Sequence, residues 1–274
     1  MSVDRAVSVD SAVSVDSAVS VASASERGTA PAVRLSGVGK RFTTDGAPVL
    51  DGIDLAIAPG EFVCLLGASG CGKSTLLSIM AGLEPATSGS VDVGREGAAL
   101  MFQEPALFPW LSAGANIELA LRLRGVPASG RRARAGELLD LVRLGGAGDK
   151  RVHELSGGMR QRVALARSLA QERPVLLMDE PFAALDAITR DLLHDELERI
   201  WRETGRTIVF VTHNVREAVR LGERVLLMSS RPGRIVREWR VDTSGQRRIG
   251  APEVAALADE ITNDLRTEIR RHAA

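Results

Sequence analysis

A glycine-rich loop between Gly67 and Thr75 is the stretch of this sequence best suited to chemistry. It reads GASGCGKST and fits the pattern G-x-x-x-x-G-K-[ST], between an apolar run and a helical pattern. In such a loop, backbone N–H groups curl around the β- and γ-phosphates of a nucleotide, Lys73 adds a cation, and the Ser74 hydroxyl can ligate Mg²⁺. A chance glycine loop is the alternative reading. The residues predicted to bind the nucleotide here are Gly67, Ala68, Ser69, Gly70, Cys71, Gly72, Lys73, Ser74 and Thr75.

Two carboxylates end a second apolar run, VLLMDE, which finishes at Glu180. Carboxylates at the C-terminal edge of a parallel sheet face the ligand crevice. We therefore predict that Asp179 holds Mg²⁺ through its water shell and that Glu180 accepts a proton from an attacking water. A helix cap or a surface pair is the alternative, and the phosphate loop in the same chain favours the nucleotide role.

Two more polar residues follow apolar runs and suit the same site. His213 follows TIVFVT, and Gln103 follows AALMF. We predict that His213 contacts the γ-phosphate and that Gln103 presents its amide to Mg²⁺ or to the lytic water. An ordinary loop histidine and a plain polar residue at a strand end are the alternatives.

A second candidate anion site begins the stretch LSGGMRQRVALARSL, from Leu155 to Leu169. Ser156 stands where a helix N-cap is expected and two glycines follow it, so backbone N–H groups are exposed to an anion there. One chain does not need two phosphate cradles for one nucleotide. The sequence therefore raises the question of whose phosphate this second loop holds.

Hydrophobic patterning predicts the elements that position these residues. EFVCLL, PVLLMDE, RTIVFVTH and RVLLMSS are typical of strands buried on both faces, and helical stretches separate most of them. This alternation predicts a parallel α/β sheet. VRLSGV and LDGIDLAI alternate as two further strands, and the strand signals vanish between Glu104 and Lys150, which predicts an all-helical insert.

The predicted organisation has five parts. Residues 1–30 are a low-complexity tail that we interpret as disordered. The nucleotide-binding core has a first part over 31–103 and a second over 161–235, and a helical subdomain over 104–160 ends in LSGG. Residues 236–274 are predicted as a C-terminal strand and helix. That helix carries an apolar stripe, expected to pack on the body or on a partner, formed by Val254, Leu257, Ile261, Leu265 and Ile269.

Composition excludes several classes of function. Lys plus Arg and Asp plus Glu both number 35, so the formal net charge of +0 gives no global attraction to nucleic acid. The longest apolar runs, such as FVCLL, are far shorter than the roughly 20 residues of a membrane span. Cys64 and Cys71 lack metal-binding spacing and are predicted to be reduced thiols.

Taken in order, the phosphate loop, FQEPALFPW, LSGGMRQR, LLMDEPFAALD and VTH resemble an ATP-binding subunit of an ABC transporter, from about Val33 to Ile235. The resemblance implies a P-loop NTPase: a RecA-like parallel core with an N-terminal antiparallel β-subdomain and an inserted helical subdomain. It also implies ATP and Mg²⁺ as ligands. Two copies then close head to tail as a homodimer, and the signature residues Ser156, Gly157 and Gly158 cap the γ-phosphate held by the other copy.

The same resemblance assigns three further roles. Phe42 matches the aromatic residue that stacks on adenine, and a core phenylalanine is the alternative. Gln103 matches the glutamine that links the γ-phosphate to the membrane subunits. Asp186 matches the residue that communicates across the dimer.

More narrowly, MFQEPALFPWLSAGANI, MDEPFAALDAITR and SSRPGRI are similar to the importer branch for nitrate, taurine and aliphatic sulfonates. This implies a peripheral subunit at the cytoplasmic face of the cell membrane. Its integral membrane permease docks near Glu104–Trp110, with Phe108 and Trp110 as apolar anchors. The resemblance also implies that an extracytoplasmic solute-binding protein acts only indirectly and that the chain does not touch the solute.

Other functions fit the sequence motifs less well. A soluble ABC ATPase acting on nucleic acid or the ribosome usually carries two ATPase domains or a long coiled-coil insertion, and this chain has one phosphate loop. The same ATPase could also serve a different small solute. A P-loop kinase for a metabolite leaves the LSGG segment unexplained.

Overall fold

A computed structural model describes residues 30–241 and 252–271. The predicted tail, apart from its last residue, lies outside the described residues. Within them, no helix is long and apolar enough to cross a membrane.

The smaller sheet has three antiparallel strands, β1 (Val33–Lys40), β2 (Leu50–Ile57) and β4 (Ser88–Asp92), in the order β2–β1–β4. β1 and β2 turn alternate apolar residues into a core shared with the first helix. β4 was not predicted, because SGSVD is exposed at most positions and lacks an apolar alternation. The antiparallel subdomain implied by the resemblance is confirmed.

The larger sheet has six strands: β3 (Phe62–Gly67), β5 (Ala98–Met101), β6 (Val175–Asp179), β7 (Thr207–Thr212), β8 (Arg224–Met228) and β9 (Ile235–Arg240). Their spatial order is β5–β6–β7–β3–β8–β9, and only the β8–β9 pair is antiparallel. β3 and β7 are buried along their whole length, which explains their unbroken apolar runs. The predicted parallel α/β core is confirmed.

The described residues form seven α-helices: α1 (Lys73–Met80), α2 (Ala113–Leu123), α3 (Ala128–Leu141), α4 (Gly157–Leu169), α5 (Ala187–Thr204), α6 (Val215–Leu221) and α7 (Pro252–Arg271). α2 and α3 form the helical insert, and they share one buried apolar cluster with α4 and the larger sheet. α4 crosses the boundary predicted between residues 160 and 161, so the signature helix runs from the predicted insert into the predicted core. The five-part division itself stays a prediction.

The C-terminal helix packs on the body of the same chain. Ile261 is fully buried in the main apolar cluster, which also contains residues of α6, and Val254, Leu257 and Leu265 pack against that cluster. Trp239 in β9 donates a hydrogen bond from Nε1 to Glu260 Oε1 at 2.9 Å. The last member of the predicted stripe is not covered, since Ile269 is 45% exposed.

Candidate site for nucleotide binding and hydrolysis

Four parallel strands bring the predicted residues to one edge of the larger sheet. Asp179 pairs with Val211, and Leu66 pairs with Thr212, so the loops that follow β6, β7 and β3 leave the sheet side by side. β5 pairs with β6 through Met101 and Met178, which brings the Gln103 loop to the same edge. Asp179, Glu180, His213, Gln103 and the phosphate loop therefore lie around one crevice.

The last glycine of the phosphate loop, Gly72, has a backbone conformation that only glycine adopts easily. Gly72 has φ 102°, and a Cβ added there would lie 2.7 Å from Leu50 Cδ2. Gly72 caps α1 without a side chain, so the first N–H groups of the helix point into the loop. Lys73 is buried, and its Nζ donates to the carbonyl oxygens of Gly67 at 2.8 Å and Ala68 at 3.0 Å.

Cys71 is the one loop residue with a thiol. Burial raises the pKa of the Cys71 thiol, although the Lys73 charge acts in the opposite direction. Cys64 and Cys71 are both buried, and no disulfide joins them. They are reduced thiols, as predicted.

Asp179 lies against the phosphate loop and accepts a hydrogen bond from the Ser74 hydroxyl. Burial is the largest influence on its carboxyl; together with the charge of Glu180 it raises the pKa of Asp179, against the opposing effects of Ser74 and Lys73. A half-buried carboxylate beside a hydroxyl is a set of hard oxygen donors. Residues 30–241 and 252–271 hold no group of three or more His, Cys, Asp or Glu that could bind a metal by itself.

Glu180 and His213 form a close pair. His213 Nδ1 lies 2.8 Å from Glu180 Oε2, and the other carboxylate oxygen, Oε1, lies 3.9 Å from Lys73 Nζ. Glu180 has φ 41°, a left-handed conformation that is uncommon outside glycine, and its N–H donates to Val211 O at 3.0 Å. The carboxylate is thus fixed between an imidazole and an ammonium group at the crevice.

The signature residues lie elsewhere on the chain. Ser156 caps α4 by accepting from Met159 N at 3.3 Å, and a Cβ added at Gly158 would lie 2.7 Å from Thr189 Cγ2. Asp186 caps α5 by accepting from Thr189 N at 2.9 Å, so the Asp186 loop and the signature residues are neighbours. Across the described residues, no hydrogen bond or ion pair joins Ser156, Gly157 or Gly158 to the phosphate loop, Asp179 or Glu180. One chain therefore presents two separate candidate phosphate sites.

Gln103 and Phe42 are both on the surface. The backbone oxygen of Gln103 accepts from Gln161 Nε2 at 3.0 Å, which ties this loop to α4, while the Gln103 side chain is exposed. Phe42 is 61% exposed, and Lys40 Nζ lies 5.0 Å from its ring centroid. This exposure rules out the core alternative for Phe42.

The sequence patterns assign no role to three residues that lie behind the crevice. A chain of contacts links the loop after Glu180 to the strand end before His213. It runs from that loop through Arg190 and Glu217 to Thr212. Only the position of Thr212, directly before a predicted site residue, could have drawn attention to any of them.

Comparison with known proteins agrees with this geometry. A family described as ABC transporter matches residues 50–183. The chain is 43% identical over 251 residues to the taurine import ATP-binding protein TauB of Chromobacterium violaceum, covering 86% of this chain and 96% of that protein. It is 42% identical to the aliphatic sulfonates import ATP-binding protein SsuB of Bacillus subtilis, covering 85% and 94% of the two chains.

Among solved structures, the chain is similar to a dimeric ATP-binding cassette in a post-hydrolysis state bound to ADP and Pi. The TM-score is 0.68 at 34% identity, with 77% of this chain and 99% of that one covered. With a nucleotide-type loop, its carboxylate and imidazole partners, and relatives matched over nearly their full length, this chain belongs to the ABC transporter family, as one of its ATP-binding subunits that hydrolyse ATP to drive transport.

Proposed function

We propose that this subunit energises import of a small anion, with taurine or another aliphatic sulfonate as the solute and nitrate as the alternative. The observation that carries ATP hydrolysis is the Glu180 carboxylate, held 2.8 Å from His213 Nδ1 and 3.9 Å from Lys73 Nζ. The choice of solute class is supported by the two import proteins that the chain resembles. Specificity within that class lies in the permease and the extracytoplasmic binding protein.

In the proposed reaction, the phosphate loop and Lys73 bind the β- and γ-phosphates of ATP. Glu180 accepts a proton from the attacking water, and His213 orients Glu180 and contacts the γ-phosphate. Gln103 presents its amide near the lytic water, and Phe42 stacks on the adenine ring. These groups act mainly by positioning and by stabilising charge on the transferring phosphoryl group.

The residues fit Mg²⁺ as the accompanying ion. Ser74, Asp179 and Gln103 supply a hydroxyl, a carboxylate and an amide oxygen, and Mg²⁺ is usually bound by one or two carboxylates with substrate phosphates. The pKa of Asp179 is raised because burial disfavours its charged form. A cation beside the carboxylate would offset that cost by favouring the negative charge. When bound, the ion neutralises phosphate charge during transfer.

We further propose that Ser156, Gly157 and Gly158 act on ATP held by a second copy of the chain. Their separation from the phosphate loop within one chain supports this, because an exposed helix N-terminus remains for another molecule's phosphate. The similar cassettes of known structure are dimers. Asp186 lies beside the signature residues and is proposed to face the same partner.

The permease is proposed to dock at the cytoplasmic face of the cell membrane, near Glu104–Trp110. A groove of about 420 Å³ lies next to this stretch. Its lining is mostly apolar, with basic side chains among the rest: Leu100, Phe102, Phe108, Leu119, Leu123, Arg124, Arg167 and Arg173. Such a groove suits an amphipathic permease helix that carries acidic residues on one side.

Reconstitution tests this proposal. The chain is combined in vesicles with its permease and with the solute-binding protein that serves that permease, and ATP-dependent uptake of labelled taurine, ethanesulfonate and nitrate is measured. We expect uptake of one of these anions with the wild-type chain and none with Glu180→Gln. ATP hydrolysis stimulated by nucleic acid, with no uptake in the presence of the permease, would contradict the proposal.

A further inference from the structure

A buried carboxylate on α6 stands behind the proposed hydrolysis site. Glu217 is 7% exposed, and its Oε2 accepts a hydrogen bond from Thr212 Oγ1 at 2.6 Å. Thr212 is the last residue of β7, directly before His213, and its Oγ1 also accepts from Asn214 N at 3.0 Å. Glu217 therefore fixes the backbone on both sides of the histidine.

The other oxygen of the same carboxylate faces α5. Glu217 Oε1 lies 3.4 Å from Arg190 Nε, and the Arg190 guanidinium also donates to two carbonyl oxygens, Phe182 O at 3.3 Å and Leu185 O at 2.7 Å. Phe182 and Leu185 belong to the short loop that leads from Glu180 to Asp186. Arg190 therefore holds that loop from behind, and Glu217 anchors Arg190.

The charges in this cluster are consistent with a fixed ion pair. Burial is the largest influence on the Glu217 carboxyl and acts to raise its pKa, but His194, Thr212 and Arg190 together hold the pKa of Glu217 below its ordinary value. His194 is buried with its Nε2 3.6 Å from Glu217 Oε1, and its ring meets that of Phe182 at 5.6 Å. Removing one partner of a buried pair leaves the other charge uncompensated, so the pair resists displacement.

The two loops joined by this cluster carry the residues that must act together. One bears Glu180 and Asp186, and the other bears His213. A purely structural ion pair between α5 and α6 would affect stability alone. Contacts to two loop carbonyls and to the residue before His213 instead predict an effect on the rate of the chemical step.

We propose that Arg190 and Glu217 are positioning residues that hold the Glu180–His213 pair and the Asp186 loop in the geometry for hydrolysis. This inference rests on the proposed roles of Glu180 and His213. In the part of the chain that the structure describes, no hydrogen bond or ion pair joins Arg190 or Glu217 to the loop residues from Gly67 to Thr75, so we expect ATP binding at that loop to be independent of the cluster. Loss of the cluster should therefore lower kcat and leave KM for ATP nearly unchanged.

Steady-state hydrolysis by the purified full-length chain tests the inference. Arg190→Met keeps the length of the side chain but loses its N–H groups, and we expect kcat to fall at least tenfold with KM for ATP within twofold of wild type. Arg190→Lys keeps the charge without the fork that reaches two carbonyls, so an intermediate kcat is expected. The matched control is Arg202→Met on the exposed side of α5, where Arg202 forms an ion pair with Glu198, and it should retain the wild-type kcat.

A second pair of variants covers the case in which Arg190→Met does not fold. Thr212→Val removes the hydroxyl that Glu217 binds and keeps the shape, whereas Thr212→Ser keeps the hydroxyl. We expect the valine variant to lose kcat at least fivefold and the serine variant to retain it. A kcat within twofold of wild type for folded Arg190→Met, or for Thr212→Val, would overturn the inference, while absence of ATP hydrolysis by the wild-type chain would overturn the proposed function instead.

Discussion

Glu180 and His213 are 33 residues apart in sequence, yet His213 Nδ1 lies 2.8 Å from Glu180 Oε2. Adjacent parallel strands place the two residues at the same edge of the sheet, and the left-handed backbone of Glu180, with φ 41°, turns its carboxylate toward the imidazole. A non-glycine residue in this region stores roughly 1–3 kcal/mol of strain. Since strain of this kind persists only where surrounding contacts fix it, the carboxylate position is a property of the whole crevice.

Replacing Glu180 by Gln keeps the side-chain shape but removes the proton acceptor. We expect kcat for ATP hydrolysis to fall by about 10²- to 10⁴-fold, the usual contribution of a general base. ATP binding should survive, because the phosphate loop is untouched, and the ATP-bound variant should accumulate as a dimer. Steady-state kinetics and sedimentation with ATP provide the measurement.

The comparison for this prediction is a double-mutant cycle that adds His213→Ala, alone and combined with Glu180→Gln. Because the two residues act as a unit, the double variant should lose at most a further few-fold relative to Glu180→Gln. Near-normal turnover by Glu180→Gln would remove Glu180 from the role of base.

Composite sites can be tested by mixing two inactive chains, Lys73→Ala and Gly157→Asp. A Cβ at Gly157 makes only ordinary contact within its own chain, 3.7 Å from Leu185 Cδ2, and an Asp in the first helical turn suits the helix dipole. The added charge should therefore spare the fold while repelling a phosphate bound by the partner. In a mixed dimer both defects fall in one site and the second site is intact.

Random exchange makes half of the dimers mixed, so the mixture should regain about a quarter of the wild-type hydrolysis rate. Gly157→Ala is the steric control and should keep most of the activity. If Lys73 and Gly157 served the same nucleotide within one chain, mixing would restore no activity even after exchange is demonstrated.

The charge of Asp179 is expected to lower the stability of the folded chain although ATP hydrolysis requires it. Burial raises the pKa of Asp179 above its ordinary value of 3.8, so the ionised carboxylate destabilises the folded chain at neutral pH. Without nucleotide, Asp179→Asn should have a larger free energy of unfolding than wild type at pH 7.5. This advantage should shrink as the pH falls through the raised pKa toward 3.8, because the wild-type carboxyl then becomes protonated. Urea denaturation at several pH values measures it.

Asp186→Asn is the control, because the pKa of Asp186 is shifted in the opposite direction. The hydrogen bond from the Thr189 backbone N–H lowers the pKa of Asp186, so the charged carboxylate is favoured in the folded chain. Its replacement should not stabilise the protein at pH 7.5. A loss of stability in Asp179→Asn at that pH would contradict the assignment of Asp179 as a half-buried, unfavourable charge, whereas its loss of ATP hydrolysis is expected either way.

Apolar runs made the core predictable from sequence. Phe62 to Leu66 and the residues from Val175 to Met178 are buried on both faces, and such strands leave a pattern that needs no knowledge of the partners. The order of the strands in the sheet sets the positions of the loops that follow them. For this reason the sequence alone predicts that Lys73, Asp179, Glu180 and His213 lie around one crevice.

Residues that work through tertiary contacts left no such pattern. Arg190 and Glu217 lie on separate helices of ordinary polar composition, and only the packing of α5 against α6 brings them together. β4 is nearly all exposed, so its strand character depends on pairing with β1. Ile269 continues a helical stripe in sequence but extends past the surface that covers Ile261. The periodicity of apolar residues defines one face of a helix, but it does not show how far along the helix that face is buried by other elements.

Permease docking is predicted to depend on the exposed aromatic pair beside the groove. Trp110 is 67% exposed and its ring centroid lies 5.4 Å from that of Phe108, so both can anchor a helix. Replacing both by Ala should weaken permease binding by at least about 30-fold, equivalent to roughly 2 kcal/mol lost at an interface hot spot. Binding of the chain to permease in nanodiscs gives the measurement, with ATP affinity of the isolated chain as a check on folding. Leu83→Ala, which removes an equally exposed apolar residue outside the groove, should bind as wild type does. Equal affinities for the aromatic double variant and the Leu83 variant would place the docking surface away from Phe108 and Trp110.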